Sequence, residues 1–196
     1  YLKNKKSLVI SWFTKNDFDK NFIYKDKYIP IKSNTNTIFF LLNIGKFFDS
    51  KKLKNKNLIF YQKTKEKNFS LFFLIKSVLN FFFNKRYKFS ELSVYSEFAH
   101  NVTDQIMKTL ESGNFKKIFL PYEAQPFQKL LISKVRKKYK KIKFISYLSA
   151  MQPFPIHLHD NNIIPDMNYA VSPAQIKQLN EIFSWDKKKI KLVKAH

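Results

Sequence analysis

Lys117 to Leu148 reads KIFLPYEAQPFQKLLISKVRKKYKKIKFISYL, and the way this stretch divides decides the fold. Its first part, Lys117–Leu120 (KIFL), is short and apolar and is closed by Pro121, which predicts a buried strand. Pro126 to Tyr139 then carries apolar residues at helical spacing and ends in lysines, where the negative end of the helix dipole favours cations. Ile142–Leu148 (IKFISYL) returns to the buried-strand pattern. A strand, a helix and a strand in such close succession predict a unit of a parallel sheet.

The same reading extends outward. Ser7–Phe13 (SLVISWF), Thr37–Asn43 (TIFFLLN) and Leu58–Gln62 (LIFYQ) are short apolar runs and predict three further strands. Asp17–Pro30 alternates charged and aromatic residues and reads as a loop, and Lys51–Asn57 as a solvated lysine-rich connector. Between Phe69 and Phe83, residues Leu71, Leu74, Ile75, Val78, Leu79 and Phe82 keep helical spacing. Phe98–Glu111 is amphipathic, with Ser112-Gly113-Asn114 as its stop. Met167–Val171 predicts a strand. Ser172 at the N-cap and Pro173 at the first helical position then open a helix that runs to about Phe183. Ile190–Val193 is the last predicted strand. The expected fold is therefore α/β: a Rossmann-like, mostly parallel sheet with flanking helices. Such sheets bind ligands outside the carboxyl ends of their strands. Here those ends are Pro121–Gln125, Ser149–Asp160 and Ser172.

Composition narrows the functions. The 196 residues include 37 Lys+Arg and 14 Asp+Glu, a net charge of +23. This suggests a nucleic acid or an anionic membrane surface as partner. Only Arg86 and Arg136 are arginines, however, and base readout and planar phosphate recognition favour the arginine fork, which argues against nucleic acid. The enriched Lys, Asn, Phe, Ile and Tyr share AT-rich codons, so base bias in the genome accounts for the charge equally simply. Cysteine is absent, which excludes disulfides, thiolate metal sites and cysteine nucleophiles. With Gly45 and Gly113 as the only glycines, neither a glycine-rich phosphate cradle nor a GxSxG nucleophile elbow can be written. The Phe69–Phe83 run carries Lys76 and falls short of the roughly 20 residues that span a bilayer. Flanked by Lys63, Lys65, Lys67, Lys85, Arg86 and Lys88, it reads either as a helix in an anionic membrane interface or as a core helix.

Glu123 stands between a strand and a helix at the ligand edge. A carboxylate there can act as general base on a hydroxyl, hydrogen-bond a polyol, or simply offset the helix dipole. The loop Ser149–Asp160 (SAMQPFPIHLHD) offers Ser149, Gln152, His157 and His159. Two alternating histidines can share a metal, but position 161 is Asn where a metallo-hydrolase HxHxD pattern needs Asp. No metal site is expected. Phosphate contact and plain solvent exposure remain the readings for His157 and His159.

Four of these segments, YEAQPF, PFPIHLHD, IIPDMNYAVSPAQIKQL and FSWDKKKIKLV, with SWF and Asp26-Lys27-Tyr28 earlier, carry a resemblance. They resemble the central part of a bacterial family of surface-carbohydrate (capsule or lipopolysaccharide) biosynthesis proteins, themselves similar to two-Rossmann-domain (GT-B) glycosyltransferases. The resemblance implies that residues 1–196 form a single N-terminal, acceptor-side domain, one half of a GT-B architecture and a fragment of a longer chain. It implies transfer of a sugar from a nucleotide-activated donor to a glycan or lipid-linked acceptor, with no bound cofactor. The donor would be held by a second domain beyond His196. Glu123 would be the catalytic base, and Tyr122, Gln125, Ser149, Gln152, His157 and His159 would contact substrate. A cytoplasmic location, peripheral on the inner membrane, would follow. One departure concerns Gln128: the family has an aromatic residue and then an acid after its glutamine–proline pair, and here the residues are Phe127-Gln128.

Overall fold

The computed structural model describes residues 7–12, 36–43, 58–62, 75, 78–79, 82–83, 94–148 and 163–193. In chain order its elements are β1 (Ser7–Trp12), β2 (Thr37–Asn43), β3 (Leu58–Gln62), α1 (Val94–Glu111), β4 (Lys117–Pro121), α2 (Pro126–Lys138), β5 (Lys143–Leu148), β6 (Met167–Ala170), α3 (Pro173–Lys177) and β7 (Ile190–Leu192). The strands form one sheet in the order β3-β2-β1-β4-β5-β6-β7. Every pairing is parallel. The fold is α/β and Rossmann-like. The loops expected at Asp17–Pro30, Lys51–Asn57 and Ser149–Asp160 lie outside the described residues.

Alternation along the strands explains where the core sits. Leu8 and Ile10, Ile38 and Phe40, Ile118 and Leu120, and Phe144 project to one face and are 0–1% exposed. There they meet Ala99, Val102, Ile106 and Leu110 of α1, and Phe127, Leu131, Ile132 and Val135 of α2. Both helical sets recur every three or four residues, so each helix presents one apolar stripe to the sheet. Ser146 and Asn168 are a polar pair within this face, joined from Ser146 Oγ to Asn168 Oδ1 at 2.6 Å. Lys134–Asp104 (2.7 Å) and Lys138–Glu111 ion pairs link the outer sides of α1 and α2. Such exposed pairs fix the contact's edges more than they stabilise it.

Several boundaries differ from expectation for identifiable reasons. Helix α1 begins at Val94, four residues before Phe98. It ends at Glu111 as the sequence implies, but Gly113 is not the left-handed cap, since no described glycine has positive φ. Ser112 ends the helix instead, its Oγ donating to Thr109 O at 2.8 Å. The helix after Ser172 is α-helical only to Lys177 and then widens into a π-helical turn, Gln178–Ile182. Ser184, at φ 55°, provides the left-handed turn that follows.

Tyr61, at the end of β3, is 3% exposed. Burial, with Glu97 adding a like-signed repulsion, holds its hydroxyl above the ordinary value of 10.0. The folded state thus retains this proton more tightly than the unfolded chain. Its stabilising effect is full below pH 10.0 and is lost as pH rises through the folded value. Tyr61→Phe keeps the ring and removes the proton, so its alkaline loss of stability should be shallower than that of the wild type, as read by denaturant melts across that range.

Candidate functional site

The strand order places a topological switch point between β1 and β4, because the chain proceeds outward from β1 in one direction and from β4 in the other. Crevices at the carboxyl side of such a point are where open parallel sheets bind ligands. The turn that follows β4, residues Tyr122 to Gln125, lies at that position.

The turn is built by Gln128. This side chain is 1% exposed and sits at the third position of α2. Its Oε1 accepts from Glu123 N at 2.9 Å and from Gln125 N at 3.0 Å. Its Nε2 donates to Pro121 O. One amide thus satisfies two donors and one acceptor of a backbone that has left the sheet but has not yet entered the helix. Pro126 at the first helical position needs no N–H partner. Ala124 is held at φ 54°, a left-handed conformation that costs an L-residue about 1 kcal/mol or more. It is 4% exposed, so only a small side chain fits there.

On this frame Glu123 is half-buried, and its Oε2 accepts from Gln125 Nε2 at 3.0 Å. Among the described residues its other oxygen has no hydrogen-bond partner. Glu123 and Gln125, both singled out in the sequence, are therefore brought together. Tyr122 is not presented to a ligand in the same way. Its ring is 0% exposed, its hydroxyl donates to Ile163 O at 2.9 Å, and it lies 5.9 Å from the Trp185 ring. Tyr122 positions the turn from beneath and couples it to the last strand–helix unit. Ser149, Gln152, His157 and His159 lie outside the described residues.

Sequence reading missed the aromatic floor of this edge. Trp12, at the end of β1, stacks on Phe98 at 6.2 Å and meets Phe127 edge-on at 5.8 Å. Tyr61 closes against Phe98 at 5.6 Å. The SWF and QPF segments, far apart in the chain, thus touch. Each residue was visible as an aromatic at the end of a strand or near the start of a helix, but only the strand order shows that those ends converge. Tyr147, the register partner of Pro121, is 43% exposed at the same edge.

The next turn uses a similar device. Ser172 Oγ accepts from Gln175 N at 3.2 Å, and Gln175, 0% exposed, returns Oε1 to Val171 N at 2.8 Å. The signal was present in the sequence as Ser-x-x-Gln, a capping-box spacing. Asp166, by contrast, works at the opposite end of the sheet. Its Oδ2 accepts from Phe144 N at 2.8 Å and its Oδ1 faces Arg136 Nη2 at 3.3 Å, while that guanidinium also donates to Ile164 O at 2.6 Å. This is a clamp between α2 and the start of β6, remote from Glu123.

Among the described residues no group of three or more His, Asp or Glu side chains could hold a metal ion. No protein-family model matches the chain, and no curated protein matches it either.

Proposed function

We propose that this chain is the acceptor-side domain of a glycosyltransferase-like protein of cell-surface polysaccharide biosynthesis, one half of a GT-B-type architecture. It would move a sugar from a nucleotide-activated donor to a glycan or lipid-linked acceptor. The observation that supports this reading best is the placement of Glu123. A half-buried carboxylate stands at the carboxyl edge beside the switch point, with one oxygen held by Gln125 and the other making no bond among the described residues.

In this role Glu123 accepts the proton of the acceptor hydroxyl as that oxygen bonds to the anomeric carbon of the donor. The sugar–phosphate bond breaks, and the nucleotide leaves with the electron pair. Gln125 keeps the carboxylate oriented, and the Gln128-braced turn keeps it from relaxing toward solvent, so little orientation has to be acquired during the reaction. Tyr147, exposed at the same edge, suits a sugar ring, which presents C–H groups to an aromatic face. His157 and His159, which follow β5 in the chain, are assigned to the donor phosphates or the acceptor, and the nucleotide itself to a second domain. The protein would work in the cytoplasm, at the inner membrane.

The test uses cells that carry the whole gene. Glu123→Gln preserves size and hydrogen bonding but not basicity, and surface glycan should fall to the level of a deletion strain. Unchanged glycan removes Glu123 from the chemistry.

A further inference from the structure

Ile75, Val78, Leu79, Phe82 and Phe83 have helical backbone, and their spacing places them on one helix face. A stripe of this kind normally faces a core, yet here the five are 51%, 37%, 51%, 74% and 84% exposed. Single exposed apolar residues are ordinary, but a contiguous apolar stripe marks an interaction surface. Charge selects the occupant. Lys63, Lys65 and Lys67 precede the stripe and Lys85, Arg86 and Lys88 follow it, with Glu66 the only acid from Lys63 to Lys88. A second copy would bring the same cations against themselves, in a chain already at +23. An anionic lipid surface complements both features, offering acyl chains to the stripe and phosphates to the lysines. The apolar run from Phe69 to Phe83 is shorter than the roughly 20 residues that span a bilayer, which suits a helix lying along the surface.

We propose that the face formed by Ile75, Val78, Leu79, Phe82 and Phe83 docks this protein onto anionic bilayers, lying in the interfacial plane. The proposal stands independently of sugar transfer, and its assay contains no glycan. The protein is sedimented with vesicles of equal parts phosphatidylglycerol and phosphatidylcholine, and with vesicles of phosphatidylcholine alone. Binding should require the anionic lipid and weaken with salt. The double variant Leu79→Glu/Phe83→Glu should lower partitioning by at least about tenfold, because two apolar anchors are lost and two anions gained. Its melting temperature should stay that of the wild type, since both positions are exposed. Replacing Lys85, Arg86 and Lys88 with Gln should weaken binding to the anionic vesicles. Wild-type protein that ignores anionic vesicles would overturn the proposal, as would a double variant that binds like wild type. So would concentration-dependent self-association, seen by sedimentation velocity, that the double variant abolishes.

Discussion

Gln128→Leu should lower the unfolding free energy by about 4 kcal/mol, the largest effect expected at any position in the turn. Leucine fits the space but leaves Glu123 N, Gln125 N and Pro121 O without the amide that now serves all three. An abandoned polar group costs about 1–3 kcal/mol when buried; these three are part-buried, and added apolar burial recovers some of the loss. For a chain of this size the melting temperature should fall by roughly 10 °C. Gln128→Glu sharpens the test. An ionised carboxylate keeps both acceptor contacts but cannot donate to Pro121 O, so its stability loss relative to the wild type reports the Pro121 O contact separately from the other two. Gln128 is thus the residue whose amide the local backbone of this turn requires.

Trp185→Ala should cost about 4 kcal/mol, within the usual range for removing a large buried aromatic. Trp185 is 1% exposed and packs on Tyr122 at 5.9 Å, so alanine opens a cavity directly beneath the Glu123 turn. Faster amide exchange at residues 122–125 should accompany the lost stability, because Tyr122 holds that turn from below. Trp185→Phe should restore more than half of the loss. Denaturant melts and residue-level hydrogen exchange check both expectations. A stability loss with no change in exchange at the turn would show that the coupling through Tyr122 does not exist.

These two residues illustrate what a linear reading can and cannot reach. The strands were legible because parallel strands buried on both faces are written as short continuous apolar runs, as in TIFFLLN and KIFL. Pairing order was not legible, because it depends on crossovers that leave no local signal, and with it went the convergence of Trp12, Tyr61, Phe98 and Phe127. The resemblance implied that Tyr122 contacts substrate, whereas its ring is buried and its hydroxyl donates internally to Ile163 O. Asp166 stood out as part of a motif, and its work is to hold Phe144 N and face Arg136 at the far end of the sheet. Ile75 to Phe83 had a clear helical period, but periodicity gives the face and not what lies against it. The scarcity of glycine also acquired a structural consequence: Ala124 and Ser184 occupy the left-handed positions that glycine usually fills.

In the proposed role Glu123 is a reactive group and not only a dipole-offsetting acid. The most direct measurement is the single-turnover rate of sugar transfer by the full-length protein and its Glu123→Gln variant, under saturating donor and acceptor. With Glu123 as the base, the rate should be at least about 100-fold lower in the variant, the usual scale for losing a general base, with an unchanged melting temperature. A variant that transfers within about twofold of wild type, below the scale of any such role, would contradict it.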